Sequence, residues 1–350
     1  MRDSRIELLR VFAMVAIVIG HFSDQAGLAT FPIARNGARI AVNVFLLISC
    51  WFLVDRQFSF KRVIKAYSEI FIYSTVLTVA AMAISGVASI GFRDIMQGLV
   101  PFYGRSLWYG SAYISLLLFK PFLDVLLKQA RKFQLMMGGA IIFLFVLPST
   151  MPSFAGIEYI SDMCWFVTVY LLVGVWKTAV GFKSRVNAVI CFALAALLYA
   201  ILVCGKGCST TAWICDYWLW NIRTLPNALI ACLIFVGVCN SPQLSSNLVN
   251  RLSAGMFAVY IVHQTWAFRS LLWMKICRGD IIAKMCPSEA TVCVIAIAIV
   301  LTVVISIADS IRQKFIERPL LSSTLSVALI KKIDSIFSDE LLKKENCLKK

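Results

Sequence analysis

Two ionisable residues, Arg10 and His21, interrupt the first apolar segment of the chain, RIELLRVFAMVAIVIGHF at 5–22. They are eleven positions apart, which in an α-helix is three turns plus about 20°, with an axial separation of about 16 Å. Both side chains therefore lie on one face of one helix. A neutral imidazole accepts a proton near neutral pH, and a guanidinium binds phosphate or carboxylate through paired hydrogen bonds. The spacing predicts proton transfer at His21, with an anion bound nearer to Arg10.

Structural roles compete with this interpretation. An arginine near the end of a membrane helix can extend its side chain to the lipid headgroups. A histidine within an apolar segment can simply bond to a neighbouring helix. However, an ionisable residue inside a membrane segment is costly, and by default it indicates a functional site. Two such residues on one face favour a polar path.

Further candidates occur later in the chain. Arg62 and Lys65 are three residues apart, so they share a helical face. His263 is the only other histidine, and it follows Tyr260 by three residues. We expect either a structural histidine that bonds across helices or a second acid–base or acceptor-positioning group.

Three more charged or aromatic features have open roles. Glu317 could pair with a basic residue of an anion site or lie among the headgroups, and Pro319 is expected to end the last span. Lys120 and Asp124 are four residues apart and predict an ion pair within one helix. Trp108 lies where an interfacial aromatic belt is expected.

The elements that must position these residues are membrane helices. Of the 350 residues, 60% are hydrophobic and 15% are charged, and the mean hydropathy is +0.83. Soluble domains are about 45–50% apolar and about 25% charged. The apolar runs are also longer than the roughly 10 residues of a β-barrel strand. We predict an all-α polytopic membrane protein with about ten transmembrane helices. The spans are expected at roughly 6–24, 38–55, 66–90, 107–127, 134–151, 160–177, 186–204, 217–240, 252–275 and 290–312.

The formal net charge of +16 reflects membrane topology rather than nucleic-acid binding. Basic residues gather in cytoplasmic loops, and most of them fall on the inside when both termini are cytoplasmic. We expect an integral membrane domain over 1–320 and a basic cytoplasmic tail, helical or disordered, over 321–350.

Cysteine and histidine usage gives little support for a metal site or a disulfide framework. Most of the 12 cysteines lie in apolar runs, where they act as small buried hydrophobes. A disulfide among Cys204, Cys208 and Cys215 is the one open alternative. With two histidines in the chain, no metal site is expected.

Arg-x10-His near the start of the first span resembles the motif of the membrane acyltransferase-3 family, and IELLRVFAMVAIVIGHF is similar to the family's opening segment. Other stretches follow in the family's order: VFLLISCWFLV, SLWYGSAYISLLLFKPFLD, SAGMFAVYIVH with its Tyr-x-x-His, and FIERPL with its Glu-x-Pro. The resemblance covers about 5–320.

The resemblance implies a multi-pass protein of the cell membrane, plasma or inner, that transfers an acyl group, usually acetyl, from acyl-CoA to a carbohydrate or lipid-linked glycan. Acetyl-CoA would be a co-substrate, with no bound cofactor and no nucleic-acid partner. We predict His21 as general base or transient acyl carrier, with Arg10 as its catalytic partner. A solute transporter or glycan exporter is the chief alternative. A purely structural protein would leave the cost of Arg10 and His21 unexplained.

The resemblance also suggests residues for binding the two substrates. Donor phosphates would bind Arg5, Arg62 and Lys65. The family often has Arg-x-x-Arg where this chain has Arg-x-x-Lys, and lysine lacks the bidentate geometry of arginine. His263, Tyr260 and Trp108 are candidates for acceptor positioning or acid–base chemistry, and Glu317 for a supporting role.

Overall fold

The computed structural model of the chain describes residues 3–28, 32–85, 91–92, 96, 100, 107–152, 160–181 and 186–348. All regular secondary structure in these ranges is helical. The helices are α1 (Ser4–Gln25), α2 (Pro32–Val54), α3 (Phe60–Ser85), α4 (Trp108–Leu127), α5 (Arg131–Thr150), α6 (Asp162–Val180), α7 (Ala188–Lys206), α8 (Ala212–Trp220), α9 (Leu225–Cys239), α10 (Asn247–Ala254), α11 (Met256–Gln264), α12 (Trp266–Ser270), α13 (Gly279–Ile282), α14 (Pro287–Ser322) and α15 (Thr324–Leu348).

The predicted membrane architecture is confirmed, with one span broken. Within the described ranges, eight helices are long and apolar enough to cross a membrane, and the pair α8–α9, bent by 51°, makes a ninth candidate. The predicted span 252–275 is not one helix but a series of short ones, α10 to α12, followed by a π-helical turn over Leu271–Ile276.

Close packing explains the first break in this segment. At Gly255, between α10 and α11, an added Cβ would lie 2.7 Å from the Cα of Ser306 in α14. The Ser306 hydroxyl donates to the backbone carbonyl of Leu252 at 2.7 Å, which satisfies a carbonyl near the break. Helical geometry ends again at Thr265, whose ψ is 117°. A break within a membrane bundle is tolerated where the freed backbone groups are satisfied by neighbours.

The start of α1 and the C-terminal helix lie at the same end of the bundle. Arg10 of α1, Arg56 after α2 and Gln313 of α14 line one cavity there. Asp334 of α15 accepts a hydrogen bond from the backbone N–H of Phe60 at 2.7 Å. We call this the inner end, following the positive-inside prediction, and the opposite end the outer end.

A buried amide network ties the centre of the bundle together. Asn43 of α2 donates to the Ile222 carbonyl at 2.6 Å and to the Asn227 side chain at 2.9 Å. The indole N–H of Trp165 in α6 donates to the Asn43 side-chain oxygen at 2.9 Å. Polar groups buried in an apolar bundle need such partners. The network holds α2 against α6 and against the bend between α8 and α9.

The last long helix differs from expectation at Pro319. This proline was predicted to end the helix, but α14 continues through it to Ser322. A π-helical turn over Gln313–Glu317 precedes the proline. The wider turn relieves the clash between the proline ring and the preceding turn, and it accommodates a residue that has no backbone N–H to donate. The chain then turns at Ser323 into α15, close to the predicted boundary at 320.

Candidate functional site

A cavity of about 350 Å³ lies at the inner end of the bundle. Its charged lining residues are Arg10, Arg56, Arg62, Lys65, Glu7 and Glu69. Its other lining residues include Phe52 beside Arg10 and, next to the His21 region, Phe45 and Tyr109. The cavity therefore suits an elongated ligand with an anionic portion near the opening and a less polar portion further in.

Arg10 is held in place by its own helix. Its guanidinium donates to Glu7 one turn earlier, at 2.7 Å, and lies 5.7 Å from the centre of the Phe52 ring. Glu7 is buried, whereas the Arg10 side chain keeps 20% of its exposure. Asp3 caps the start of α1 by accepting from the backbone N–H of Arg5, which starts the helix three residues before Glu7.

Arg62 and Lys65 lie in the first turns of α3, and both line the cavity. Two contacts from the C-terminal part of the chain orient this turn. Asp334 accepts from the backbone N–H of Phe60, and Glu317 pairs with Lys65 at 2.8 Å. Two roles were left open for Glu317, and in the structure it pairs with a basic residue, Lys65. Lys65 is engaged by Glu317 and the Arg62 guanidinium donates to the Gln57 backbone carbonyl, whereas Arg56 is exposed at the rim.

A buried ionic cluster lies behind Lys65, and the sequence did not predict it. Arg312 of α14 bonds to Asp309 at 2.6 Å, to Glu317 at 2.9 Å and to Glu69 of α3 at 3.3 Å. All four side chains are at least nine-tenths buried. Charges this deep persist only when they are paired and hydrogen-bonded. The cluster joins α3 to α14 and sets the inner wall of the cavity.

His21 lines a second, much smaller cavity of about 20 Å³, deeper in the bundle. Its other lining residues are Met14, Ile17, Val42, Phe45, Trp108, Tyr109 and Tyr260. We call this space the His21 chamber. Trp108 and Tyr260, both predicted as site residues, are thus beside His21. Lys120, by contrast, is buried elsewhere and pairs with Asp124 as expected.

His263 lies next to His21, with ring centroids 5.4 Å apart. Its Nδ1 is 2.6 Å from the backbone carbonyl of Val259 in its own helix, so the expected bond across helices is not formed. A carbonyl only accepts, so Nδ1 must carry the proton and Nε2 is left as the acceptor nitrogen. Nε2 is buried and has no hydrogen-bond partner among the described residues.

Phe45 and Tyr109 line both cavities, so these two side chains form the partition between them. Tyr109 packs edge-on against Phe45, with ring centroids 5.7 Å apart. The hydroxyl of Tyr260 accepts from the backbone N–H groups of Tyr109 at 3.1 Å and Gly110 at 3.4 Å. Tyr260 thereby fixes the first turn of α4, which presents Tyr109 to both spaces.

One predicted donor residue lies elsewhere. Arg5 is not in the cavity lining; it pairs with Asp3 at 2.6 Å and donates to the backbone carbonyl of Cys239 at 3.0 Å. It connects the start of α1 to the end of α9, so we leave it out of the donor site. Arg56 and Glu69 are lining residues that sequence reasoning missed. Arg56 could have been predicted, because it is a basic residue in the short loop before α3, close in sequence to Arg62.

The three cysteines considered for a disulfide are all free thiols, namely Cys204, Cys208 and Cys215. Cys208 is fully exposed in the loop between α7 and α8. Hydrogen bonds from Thr210 and Thr211 stabilise its thiolate and lower its pKa to about 7.

An all-α polytopic bundle with a basic cavity at its inner end and a histidine-lined chamber next to it defines an integral membrane protein. The sequence profile of the acyltransferase-3 family, described as an acyltransferase domain, matches residues 3–308. The chain therefore belongs to this family and is a multi-pass membrane acyltransferase. No curated protein and no solved structure matches it. The family assignment favours acyl transfer over the solute transport that the sequence had left open.

Proposed function

We propose that this acyltransferase moves an acetyl group from acetyl-CoA, bound in the inner cavity, to a hydroxyl of a carbohydrate or lipid-linked glycan at the outer side of the cell membrane. Acetyl-CoA is then a co-substrate, and no bound cofactor is required. The lipid bilayer separates donor from acceptor, so the chemistry must occur inside the bundle.

The observation that carries the proposal is the adjacency of the two cavities. The inner cavity has four basic side chains in its lining, and it ends at the same Phe45 and Tyr109 that bound the His21 chamber. Phosphate groups suit the arginines of the inner cavity, because a guanidinium bonds two oxygens at once. The pantetheine arm of CoA is long and flexible. A thioester at its end would reach His21 by passing between Phe45 and Tyr109.

The chemistry follows from where His21 lies. The acceptor hydroxyl oxygen attacks the thioester carbon, the new C–O bond forms, and the C–S bond breaks. His21 takes the hydroxyl proton and returns it to the departing sulfur, which leaves as the CoA thiol. A hydroxyl is a weak nucleophile at neutral pH, so a positioned base contributes about 100- to 10,000-fold to the rate. Arg10 holds the donor on the inner side, about 16 Å along the same helix.

The acceptor would come from the outer end. Trp108 offers an indole face to a sugar ring at the chamber, and Tyr260 and His263 flank it. His263 Nε2 is an unpaired acceptor among the described residues and can receive a hydrogen bond from the incoming hydroxyl or from His21. We therefore assign Trp108, Tyr260 and His263 to positioning the acceptor.

The test uses membranes from cells that express either the wild-type protein or His21→Ala at equal level. Labelled acetyl-CoA is supplied, and the surface glycan is analysed by mass spectrometry for added acetyl esters. Acetylated glycan in wild type and its loss in His21→Ala are expected. Val18→Ala, a buried substitution on the same helix that lines neither cavity, is the matched control. Full acetylation by His21→Ala would overturn the role of His21 as the base. A wild-type protein that adds no acetyl ester would overturn the proposal that acetyl-CoA is the donor and the glycan the acceptor.

A further inference from the structure

The stripe of α1 that carries Arg10 and His21 also carries two apolar residues, Met14 and Ile17. The four residues occupy positions i, i+4, i+7 and i+11 of one helix face. Ile17 lies one turn, about 6 Å, before His21 along the helix axis. Both apolar side chains line the His21 chamber, and Val42 of α2 lines it from the neighbouring helix. We call Met14, Ile17 and Val42 the apolar wall.

The apolar wall is closed and well packed. Met14 keeps 1% of its exposure, Ile17 6% and Val42 7%. Val42 lies one helical turn from Phe45 of the partition, so the wall and the partition are continuous on α2. The chamber itself holds about 20 Å³, and a single water needs about 10–15 Å³ by the same kind of measure. Without substrate, the free space beside His21 is therefore no larger than a small group, and among the described residues the apolar wall leaves no further void into which a long acyl chain could extend.

From this geometry we infer that Met14, Ile17 and Val42 determine which acyl chain the protein transfers, and that they select acetyl over longer chains. The inference rests on the proposed function. With the thioester carbon held at His21, the carbon chain of the acyl group must extend away from the base and the acceptor hydroxyl, toward the wall. The methyl of an acetyl group occupies the available space, whereas the added methylenes of a propionyl or butyryl group meet Ile17 and Val42.

The size of the effect can be set from general experience with apolar pockets. One methylene that a pocket cannot accept changes kcat/KM by about 10- to 200-fold. Ile17→Ala removes three carbons from the wall and Val42→Ala removes two. Each variant is expected to raise the ratio of butyryl to acetyl transfer at least about tenfold, chiefly by raising butyryl transfer.

The experiment is a competition. Membranes containing the protein receive equimolar acetyl-CoA, propionyl-CoA and butyryl-CoA, and the esters on the glycan are counted by mass spectrometry. Val18→Ala and Val44→Ala are matched controls, since these residues are as buried on the same two helices but line neither cavity. Ile17→Val is a milder variant, and it should shift the ratio in the same direction if Ile17→Ala fails to fold.

The outcomes separate the two proposals. No ester of any length in wild-type membranes would overturn the proposed function. Acetyl transfer with an unchanged ester ratio in Ile17→Val and Val42→Ala would overturn the apolar wall alone. Equal shifts in the Val18 and Val44 controls would also overturn it, because general loosening of the helices would then explain the result. A shift confined to the wall variants supports it.

Discussion

The rings of His21 and His263 lie 5.4 Å apart, at an angle of 40°, although the two residues are 242 positions apart in the chain. They are the only histidines of the protein. The bond between Nδ1 of His263 and the Val259 carbonyl assigns Nε2 as the acceptor. Trp273 completes the pocket around His263, with ring centroids 6.2 Å apart. The protein thus places its two imidazole rings side by side, with His21 lining the chamber and His263 fully buried behind it.

This pairing predicts the effect of replacing His263. His263→Phe keeps a ring of similar size but removes the acceptor nitrogen, so we expect kcat to fall by about 100-fold, the lower end of the range for acid–base residues. The KM for acetyl-CoA should stay within a factor of two, because His263 is not in the inner cavity. Steady-state kinetics with wild type, His263→Phe and the packing control Val262→Ala decides this. An unchanged kcat in His263→Phe would show that the histidine is structural.

The relation between Arg10 and His21 could be predicted because a regular helix fixes it. One helical segment and 100° per residue are sufficient, and no other part of the fold is needed. The helical membrane architecture also followed from apolar runs, with eight or nine long apolar helices in the described ranges where about ten were predicted. The break at Gly255 did not, since it arises where Ser306, 51 residues later, packs against the backbone.

The cluster around Arg312 was missed for the same reason. Arg312 and Asp309 lie on α14 and Glu69 lies on α3, far from them in the sequence. Their contact depends on how α3 packs against α14, and no local sequence pattern predicts that packing. Nothing in the local sequence excludes Arg5 either, because a basic residue in the first turn of a helix has the same pattern whether its side chain faces a cavity or a backbone carbonyl.

The basic lining of the inner cavity predicts which cations bind the donor. Arg62→Ala should raise the Kd for acetyl-CoA about tenfold to 100-fold, since a hydrogen bond to a charged group contributes about 1.5–3 kcal/mol. Lys61→Ala is the matched control, because Lys61 directly precedes Arg62, is exposed and does not line the cavity. Binding to purified protein in detergent gives both constants. Equal effects of the two substitutions would point to general surface charge rather than a phosphate site.

The contact between Asp3 and Arg5 predicts a structural role with a pH signature. The hydrogen bond from the Arg5 guanidinium holds the pKa of Asp3 below its usual value. The stabilisation is therefore present above about pH 4, the ordinary pKa of aspartate, and is lost as the pH falls through the lower folded-state pKa. Both side chains are partly exposed, so the effect is small.

For this contact, Arg5→Ala should lower the thermal unfolding midpoint at neutral pH and leave the Kd for acetyl-CoA unchanged. The difference between wild type and Arg5→Ala should shrink when the pH is lowered below about 4. Differential scanning fluorimetry across this range measures it. A weaker affinity for acetyl-CoA at unchanged stability would instead return Arg5 to the donor site.

The buried cluster predicts a large cost for removing its cation. Arg312→Leu leaves Glu69, Asp309 and Glu317 without their shared partner, and breaking a buried ion pair in this way costs about 3–5 kcal/mol. The thermal unfolding midpoint in detergent should fall steeply. Arg318→Leu, an exposed position on the same helix, should leave it nearly unchanged. Adding Glu69→Gln and Glu317→Gln to Arg312→Leu should recover part of the loss, because neutral side chains no longer need the guanidinium. If the triple variant is no more stable than Arg312→Leu alone, uncompensated charge is not the cause, and the loss comes from the packing of the arginine side chain.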